Sequence, residues 1–429
     1  MRLDLLEREI VDYMEREQIP GLSVAVLQND EVVYAKGFGY ANLERKEVAT
    51  PETIYGVASV TKSFTALVIT KLVERGVLGF EDPVTKYFPS FSLPNVAHVD
   101  DIQIHHLLSH TSGIATVKRD ESITTFSEHL AYLKTYPVDV LGEPGAYFCY
   151  NNDLFLLLGA IIEKVTGKTF EEVVTDEILI PNGMKRSTVY LDALQQFDDV
   201  SEPYEVQNGK LVAVDWPTLG NYKVGGGVRS TVLDLLKYGQ IYLRENLKMT
   251  QAIHPVHGKT SYAYGLQTTP YEGGRTLIEH GGSQPGVSSN FGFIPEENLV
   301  VAVLTNVSGA SAGDIWLHIV NAFCDLPLDT KRTVFPENAL DEGIIETYIG
   351  NYRTGEGSKL EVYVDNGKLW ASLDGEKYAL IRSEDDRYLI EKTKRPLKFF
   401  VKNDKAWALL FGVRMFIREE DEHETIDWH

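Results

Sequence analysis

The hydrophobic pattern of this 429-residue chain changes its period near residue 340, and this change limits how the chain can fold. Residues 348–418 alternate apolar and polar side chains in short runs, which is typical of half-buried antiparallel strands. The turn dipeptides Asn366-Gly367 and Asp374-Gly375 recur at hairpin spacing. We therefore predict a small antiparallel β-barrel of about seven or eight strands at the end of the chain.

The first 325 residues carry a mixed pattern instead, and the polar stretch 326–340 contains Pro327 and Pro336 without any clear period. A chain of 429 residues is longer than one hydrophobic core usually supports. We therefore predict one domain at 1–325, a linker at 326–340 and a second domain at 341–429. Helices are predicted within 3–17, 59–75, 101–113, 153–167, 225–239 and 311–324, strands over 275–280 and 298–306, and a hairpin turn at Asn29-Asp30-Glu31.

The charge balance argues against several classes of partner. Lysine and arginine number 41 against 62 aspartates and glutamates, a net charge of −21, so we expect no nucleic-acid or membrane partner. No apolar run is long enough to cross a bilayer, and the first residues lack the apolar core of a signal peptide, so we expect a cytoplasmic protein. Cys149 and Cys324 predict no disulfide framework, and the acidic residues 418–429 are expected to be solvated.

The stretch Ser59-Val60-Thr61-Lys62 places a hydroxyl and an amine three residues apart at the start of a predicted helix. Residues i and i+3 share a helix face, so Lys62 is expected one turn below Ser59. A serine hydroxyl needs a base to act as a nucleophile, and burial lowers the pKa of a lysine enough for it to serve. The motif is also common by chance, so two unrelated residues on one helix face are the alternative.

Two further stretches carry groups that suit the same chemistry. Tyr150 and Asn152 lie in a turn before an apolar helix, where a phenol can transfer a proton and an amide can hold a substrate carbonyl. His280, Gly281 and Gly282 follow a predicted strand, and glycines let the backbone approach a ligand closely. Taken singly, each stretch is also explained by a capped loop or by a strand end.

Taken together and in order, these stretches resemble the serine β-lactamase and penicillin-binding-protein superfamily. The similarity is to the class C β-lactamase-like branch, which also holds D-aminopeptidases, DD-peptidases and family VIII-type esterases. It implies an α+β fold with an antiparallel sheet flanked by helices beside a helical subdomain, and a lipocalin-like barrel after it. The stretches that carry it are "IPGLSVAVLQNDEVVYAKGFGYAN", "SVTKSFTALVITKLVERGVLGFEDPVTKYFP", "IQIHHLLSHTSG", "EPGAYFCYNNDLFLLLGAIIEKVTG", "GGGVRSTVLDL" and "HGG".

The resemblance implies a role for each motif residue. Ser59 is expected to be the acylated nucleophile, and Lys62 and Tyr150 to share the proton transfers, with the identity of the acylation base left open. Asn152 is expected to bind the substrate amide or carbonyl, and His280 to orient the substrate and support the proton transfers.

The resemblance also implies which groups bind the substrate. The third motif is the stretch His280-Gly281-Gly282. Its glycines Gly281 and Gly282 are expected to line the substrate site, and the backbone N–H groups of Ser59 and Ser283 to form the oxyanion hole. No cofactor and no metal are implied.

The third motif begins with His280, where true β-lactamases usually carry lysine. Histidine is largely neutral at pH 7 and does not provide a fixed charge for a substrate carboxylate. This difference favours small amides, peptides with D-residues or short esters over β-lactams and carboxypeptidase substrates.

A metal-binding site is one interpretation of His105, His106 and His110, because His106 and His110 are four residues apart and could bind the same zinc ion. No acidic ligand lies near them in sequence, so helix packing and capping are the favoured interpretation.

The leading hypothesis is therefore a serine hydrolase that works through an acyl-enzyme on a small-molecule or peptide substrate, possibly as a homo-oligomer. The alternatives are a class C-type β-lactamase or DD-peptidase, and a catalytically silent binding module on the same fold.

Overall fold

A computed structural model of the chain describes residues 3–245, 248–339 and 342–419. The end of the predicted acidic tail, residues 420–429, lies outside the described residues, as does the border between the predicted linker and the second domain at 340–341. The limits that we predict for the domains therefore stay predictions.

The helices begin and end as follows, in chain order: α1 (Leu3–Arg16), α2 (Thr61–Glu74), α3 (Val84–Tyr87), α4 (Ile104–Leu108), α5 (Phe126–Thr135), α6 (Asn152–Thr166), α7 (Phe170–Val174), α8 (Lys223–Gly226), α9 (Val232–Arg244) and α10 (Ala312–Phe323).

The strands that precede residue 340 are β1 (Gly21–Gln28), β2 (Glu31–Asn42), β3 (Glu47–Val48), β4 (Tyr55–Gly56), β5 (Tyr204–Gln207), β6 (Lys210–Ala213), β7 (Arg229–Ser230), β8 (His254–His257), β9 (Thr260–Tyr262), β10 (Gln267–Tyr271), β11 (Arg275–Gln284), β12 (Val287–Ile294) and β13 (Leu299–Thr305). The later strands are β14 (Gly350–Arg353), β15 (Lys359–Asp365), β16 (Lys368–Leu373), β17 (Glu376–Arg382), β18 (Arg387–Ile390), β19 (Pro396–Lys402), β20 (Lys405–Phe411) and β21 (Arg414–Arg418).

The first part of the chain is built on an antiparallel sheet. Among the described residues this sheet has nine strands in the order β3-β2-β1-β13-β12-β11-β10-β9-β8. One face packs against α1 and α10, and α10 is held to β13 by the indole N–H of Trp316, which donates to the Val301 carbonyl at 3.0 Å. The other face packs against α9 and α2, which join the apolar core of the helical region. The α+β fold with helices on an antiparallel sheet is confirmed.

Local sequence explains where the longest buried helix begins and ends. The Asn151 side chain accepts the Leu154 N–H at 3.0 Å and caps α6, and Gly167 takes a left-handed φ of 70° that stops it. Thr231 caps α9 in the same way, by accepting the Asp234 N–H.

The helix predicted within 101–113 is largely wrong. Helix α4 ends at Leu108, and two residues later His110 adopts a left-handed φ of 55°. A left-handed residue cannot continue a right-handed helix, so the chain turns well before Gly113. His110 therefore lies in a loop rather than on a helix face.

The last part of the chain is a barrel. Strands β14 to β21 pair with their neighbours in sequence, and β21 closes on β14 through Tyr352 and Arg418, so the described residues form a closed barrel of eight strands. The prediction of a barrel from the alternating pattern is confirmed, and the apolar side chains of one strand face fill the barrel interior. Its β20–β21 end packs against the first part of the chain in a cluster that includes Tyr150, Tyr262 and Met415.

Candidate active site

The predicted nucleophile lies in a tight turn between β4 and α2. Residues 58–60 form a short 3-10 turn, and Ser59 is partly exposed there while Ala58 and Val60 are buried. Ala58 has a left-handed φ of 46°, a conformation that costs free energy in a residue with a side chain. The surrounding structure holds this strain and presents the Ser59 hydroxyl at the start of α2.

Lys62 points its amine at that hydroxyl. Its Nζ lies 3.3 Å from Ser59 Oγ and 3.1 Å from the carbonyl oxygen of Gly225. A Cβ on Gly225 would lie only 2.9 Å from Nζ, so the glycine at this position makes room for the amine. The predicted proximity of hydroxyl and amine is therefore present in the structure.

The environment of Lys62 favours its uncharged form. The side chain is 1% exposed, and no ion pair joins it to a carboxylate in the described part of the chain. Burial lowers the pKa of Lys62 well below its ordinary value, and the nearby charges of Arg414 and Arg119 lower it further. Both effects favour the neutral amine, which is the form that can accept a proton.

Tyr150 lies against the same amine. Its ring centroid is 4.8 Å from Lys62 Nζ, and its buried hydroxyl has no hydrogen-bond partner that meets normal geometry among the described residues. Burial raises the pKa of the phenol above its ordinary value, although the neighbouring Ser59 hydroxyl and the Arg414 charge oppose this rise. Tyr150 is consequently a protonated phenol at neutral pH.

The two asparagines after Tyr150 have different surroundings. Asn151 is buried and caps α6, and its amide N–H₂ donates to the Ala115 carbonyl at 2.8 Å. Asn152 is the first residue of α6, is partly exposed, and makes no side-chain hydrogen bond to another described residue. Of the two amides, that of Asn152 is the one free to bind a ligand.

His280 has both ring nitrogens engaged. Its Nε2 lies 2.8 Å from the Tyr262 hydroxyl and its Nδ1 lies 2.5 Å from the Gly281 carbonyl oxygen. Burial, with a contribution from the Lys62 charge, lowers the pKa of His280 to about 3. The imidazole is therefore neutral, and the substrate contact that we predict for it requires a change of partner.

The glycines of β11 allow the strand to lie close to the nucleophile turn. A Cβ on Gly282 would come within 2.4 Å of the Val57 carbonyl oxygen and of Ser289 Oγ. Ser289 Oγ donates to that same carbonyl at 2.7 Å and ties β12 to the turn. Gly281 and Ser283 are exposed on the strand, where a ligand can reach their backbone.

The hairpin between β20 and β21 enters the site from the barrel. The Tyr150 N–H donates to the Val413 carbonyl at 3.1 Å, and the Arg414 guanidinium lies 5.0 Å from the Tyr150 ring centroid. Arg414 also pairs with Glu356 at 2.7 Å. Arg414 and Tyr262 were not predicted from the sequence, because neither belongs to a motif and both reach the site through contacts distant in sequence.

We expect the Arg414→Met variant to shift the acid side of the kcat/KM profile to higher pH. The Arg414 charge lowers the pKa of both Lys62 and Tyr150, so its removal raises both and protonates Lys62 at a higher pH. At pH 7 we expect a loss of roughly fivefold, typical of one nearby charge. The matched control is Arg395→Met, since Arg395 lies over Phe411 of the same hairpin but is exposed. An unchanged profile for Arg414→Met contradicts the prediction.

Metal-binding residue types do not gather in the described part of the chain: it has no group of three or more His, Cys, Asp or Glu placed to hold an ion. The Nδ1 atoms of His106 and His110 accept backbone N–H groups of Gln103 and Asn151 instead. Cys149 and Cys324 are both free and buried.

The family model described as Beta-lactamase matches residues 6–322. The chain belongs to the beta-lactamase family. This membership covers the sheet, the helical region and every motif residue from Ser59 to Ser283.

Two relatives match the chain over different shares of their lengths. Penicillin-binding protein 4* of Bacillus subtilis (strain 168) is 26% identical over 449 residues, which cover 96% of this chain and 95% of that protein. Protein flp of Staphylococcus aureus (strain MW2) is 29% identical over 317 residues, covering 71% of this chain and 63% of that protein.

Two solved structures also match nearly the whole chain. The octameric penicillin-binding protein homologue from Pyrococcus abyssi is 32% identical with a TM-score of 0.72, covering 97% of this chain and 100% of that one. SurE has a TM-score of 0.76 at 21% identity, covering 97% of this chain and 99% of that one, and shares the fold.

None of the helices in the described residues has the length and apolar character needed to cross a membrane.

Proposed function

We propose that this member of the beta-lactamase family is a serine hydrolase that works through an acyl-enzyme. The observation that carries the proposal is the buried Lys62 amine, which lies 3.3 Å from Ser59 Oγ without a carboxylate partner among the described residues. Burying an amine without a carboxylate partner costs the fold free energy, so such an amine is usually found where it has a chemical function. Activation of a nucleophile is the purpose that this geometry supports.

In acylation, Ser59 Oγ attacks the substrate carbonyl carbon while Lys62 Nζ takes the hydroxyl proton. The negative charge that develops on the carbonyl oxygen is stabilised by the backbone N–H groups of Ser59 and Ser283, worth about 3 kcal/mol per donor. The Tyr150 phenol donates its proton to the leaving amine or alkoxide as the carbonyl–leaving-group bond breaks. A proton then passes from the Lys62 ammonium to the Tyr150 phenolate, which restores both groups. In deacylation water attacks the acyl carbon while Lys62 takes a proton from it, and Tyr150 donates its proton to Ser59 Oγ as the acyl–oxygen bond breaks. A second transfer from Lys62 to Tyr150 returns the site to its starting state.

The pKa directions favour this division between base and acid. Burial lowers the pKa of Lys62 and raises that of Tyr150, so it favours the lysine as a neutral amine and the tyrosine as a protonated phenol. A base must begin without the proton that it accepts. We therefore assign the acylation base to Lys62 and the leaving-group acid to Tyr150.

The substrates that we propose are small amides or peptides, including those with D-residues, and short esters. His280 is neutral with both nitrogens engaged, so it provides no charge for a substrate carboxylate, and the Arg414 charge is balanced by Glu356. SurE has been solved with D-Leu, which supports a site of this fold that accepts D-residues. The octameric homologue likewise supports a homo-oligomer, and the barrel hairpin at Tyr150 supports a lipocalin-like domain that restricts access to the site.

A panel of three substrates tests the proposal. We expect a p-nitrophenyl ester and a D-alanine p-nitroanilide to show at least about tenfold higher kcat/KM than nitrocefin, because no fixed charge holds the β-lactam carboxylate. If nitrocefin is the best of the three, the substrate preference is wrong and a β-lactamase is favoured. If none is turned over and no serine is acylated, the chain is a silent binding module.

A further inference from the structure

The segment that presents Tyr150 is held by an unusual set of hydrogen bonds. Residues 149–151 belong to no helix or strand, yet all three of their backbone N–H groups have partners. The Cys149 N–H donates to the His110 carbonyl at 2.9 Å, and the Asn151 N–H donates to His110 Nδ1 at 3.2 Å. The N–H of Tyr150 between them points the other way, to Val413. His110 thus accepts a hydrogen bond from the residue on each side of Tyr150.

The imidazole also packs against the phenol. The ring centroids of His110 and Tyr150 are 4.1 Å apart, and Phe155 and Tyr262 surround the same imidazole at 5.4 and 5.1 Å. His110 is 2% exposed. Its ring therefore limits the positions that the Tyr150 ring can adopt.

The two hydrogen bonds that His110 accepts depend on an unusual backbone conformation of this residue. Its left-handed φ of 55° is uncommon for a residue with a side chain, although histidine and asparagine adopt it more often than most. The conformation lets the carbonyl and the imidazole of one residue reach two N–H groups of the same segment. Strain of this kind persists only where the surroundings enforce it.

The protonation state of His110 follows from its partner. Nδ1 accepts the Asn151 N–H, so it carries no proton and the neutral ring bears its proton on Nε2. Burial lowers the pKa of His110 well below its ordinary value, and the nearby charges of Lys62 and Arg414 and the His280 ring act in the same direction. The acceptor is thus maintained across the neutral range.

We propose that His110 is a positioning residue, which holds Tyr150 in place for proton transfer by accepting the Asn151 N–H through Nδ1. The inference rests on the proposed function, since it assigns a partner to the Tyr150 acid. His110 acts through Tyr150, and its Nδ1 is engaged by the protein backbone.

Two substitutions separate the acceptor from the ring. In His110→Asn the amide oxygen occupies nearly the place of Nδ1, and asparagine tolerates a left-handed φ. In His110→Gln the oxygen lies about where Nε2 was, so the Asn151 N–H loses its partner. The matched control is His106→Gln, because His106 Nδ1 accepts the Gln103 N–H at 3.1 Å in the same region without contacting Tyr150.

The readouts are the rate of covalent labelling by a fluorophosphonate, followed by intact mass, and kcat and KM for a p-nitrophenyl ester. We expect His110→Gln to lower kcat for the ester about 100-fold with little change in KM, as a misplacement of about 1 Å does. The labelling rate should fall in the same direction. His110→Asn should stay within about fivefold of wild type, and His106→Gln should match wild type. Thermal unfolding of each variant verifies that it is folded.

Each other outcome overturns a defined part. If folded His110→Gln keeps the wild-type kcat, His110 does not position Tyr150. If His110→Asn loses as much kcat as His110→Gln, or if His106→Gln loses as much, the specific Nδ1 acceptor role is wrong. Wild-type protein that neither labels nor turns over the ester overturns the proposed function itself, together with this inference.

Discussion

The Ser59→Ala variant is expected to lose turnover of the p-nitrophenyl ester by about 10⁴-fold or more, because no other group replaces a missing nucleophile. Fluorophosphonate labelling should disappear at the same time. Intact mass after incubation with the probe measures the adduct directly, and wild type should carry one. The alanine is smaller than serine and the side chain is partly exposed, so the fold should tolerate the change.

The matched control for Ser59 is Ser122→Ala, since Ser122 is an exposed serine in the same beta-lactamase-matching part of the chain. This variant should label and turn over like wild type. An adduct that survives Ser59→Ala would show that another serine is the nucleophile and would sink the assignment.

Lys62→Met is expected to lower kcat/KM about 10³-fold, within the range that general bases contribute. Methionine fills a similar volume but accepts no proton from Ser59. Wild-type kcat/KM should fall on the acid side as the Lys62 ammonium forms, at a pH well below the ordinary pKa of lysine, because burial lowers that pKa. A pH profile of kcat/KM for both proteins measures the two effects.

Stability gives an independent check on the same residue. A lysine whose pKa is lower in the folded than in the unfolded state binds its proton more readily when unfolded, so below the unfolded pKa it destabilises the fold. Lys62→Met should therefore have a Tm at pH 7 equal to or above that of wild type. Lys71→Met, on the same helix but only partly buried, is the control and should keep full activity. Wild-type activity in Lys62→Met would exclude the lysine as the base.

Much of the fold followed from local patterns. The apolar run at 153–167 with Gly167 at its end predicts α6 closely, because a glycine stop acts within one turn. The structure adds the N-cap, which is Asn151. The barrel followed from alternation and turn dipeptides for the same reason. The strand predicted to end at His280 continues to Gln284, since Gly281 and Gly282 pair with Asn290 and Ser289 on β12.

The site was less predictable. Ser59 and Lys62 were recognisable because they are three residues apart, and the geometry between them depends on one helical turn. No short sequence spacing indicated the hydrogen bonds between His110 and residues 149–151. They depend on a single left-handed φ, which in the sequence looked like the continuation of a helix.

The sequence alone determined the motif residues, their order and the change from a mixed pattern to a barrel, because these depend on neighbours within a few positions. Only the tertiary structure decided which groups carry protons and what holds Tyr150. The pKa of Lys62 is lowered because residues from many parts of the chain remove water from it, and Tyr150 is held between the His110 loop and the barrel hairpin. Desolvation and contacts of this kind arise from elements far apart in the chain, so no local pattern encodes them.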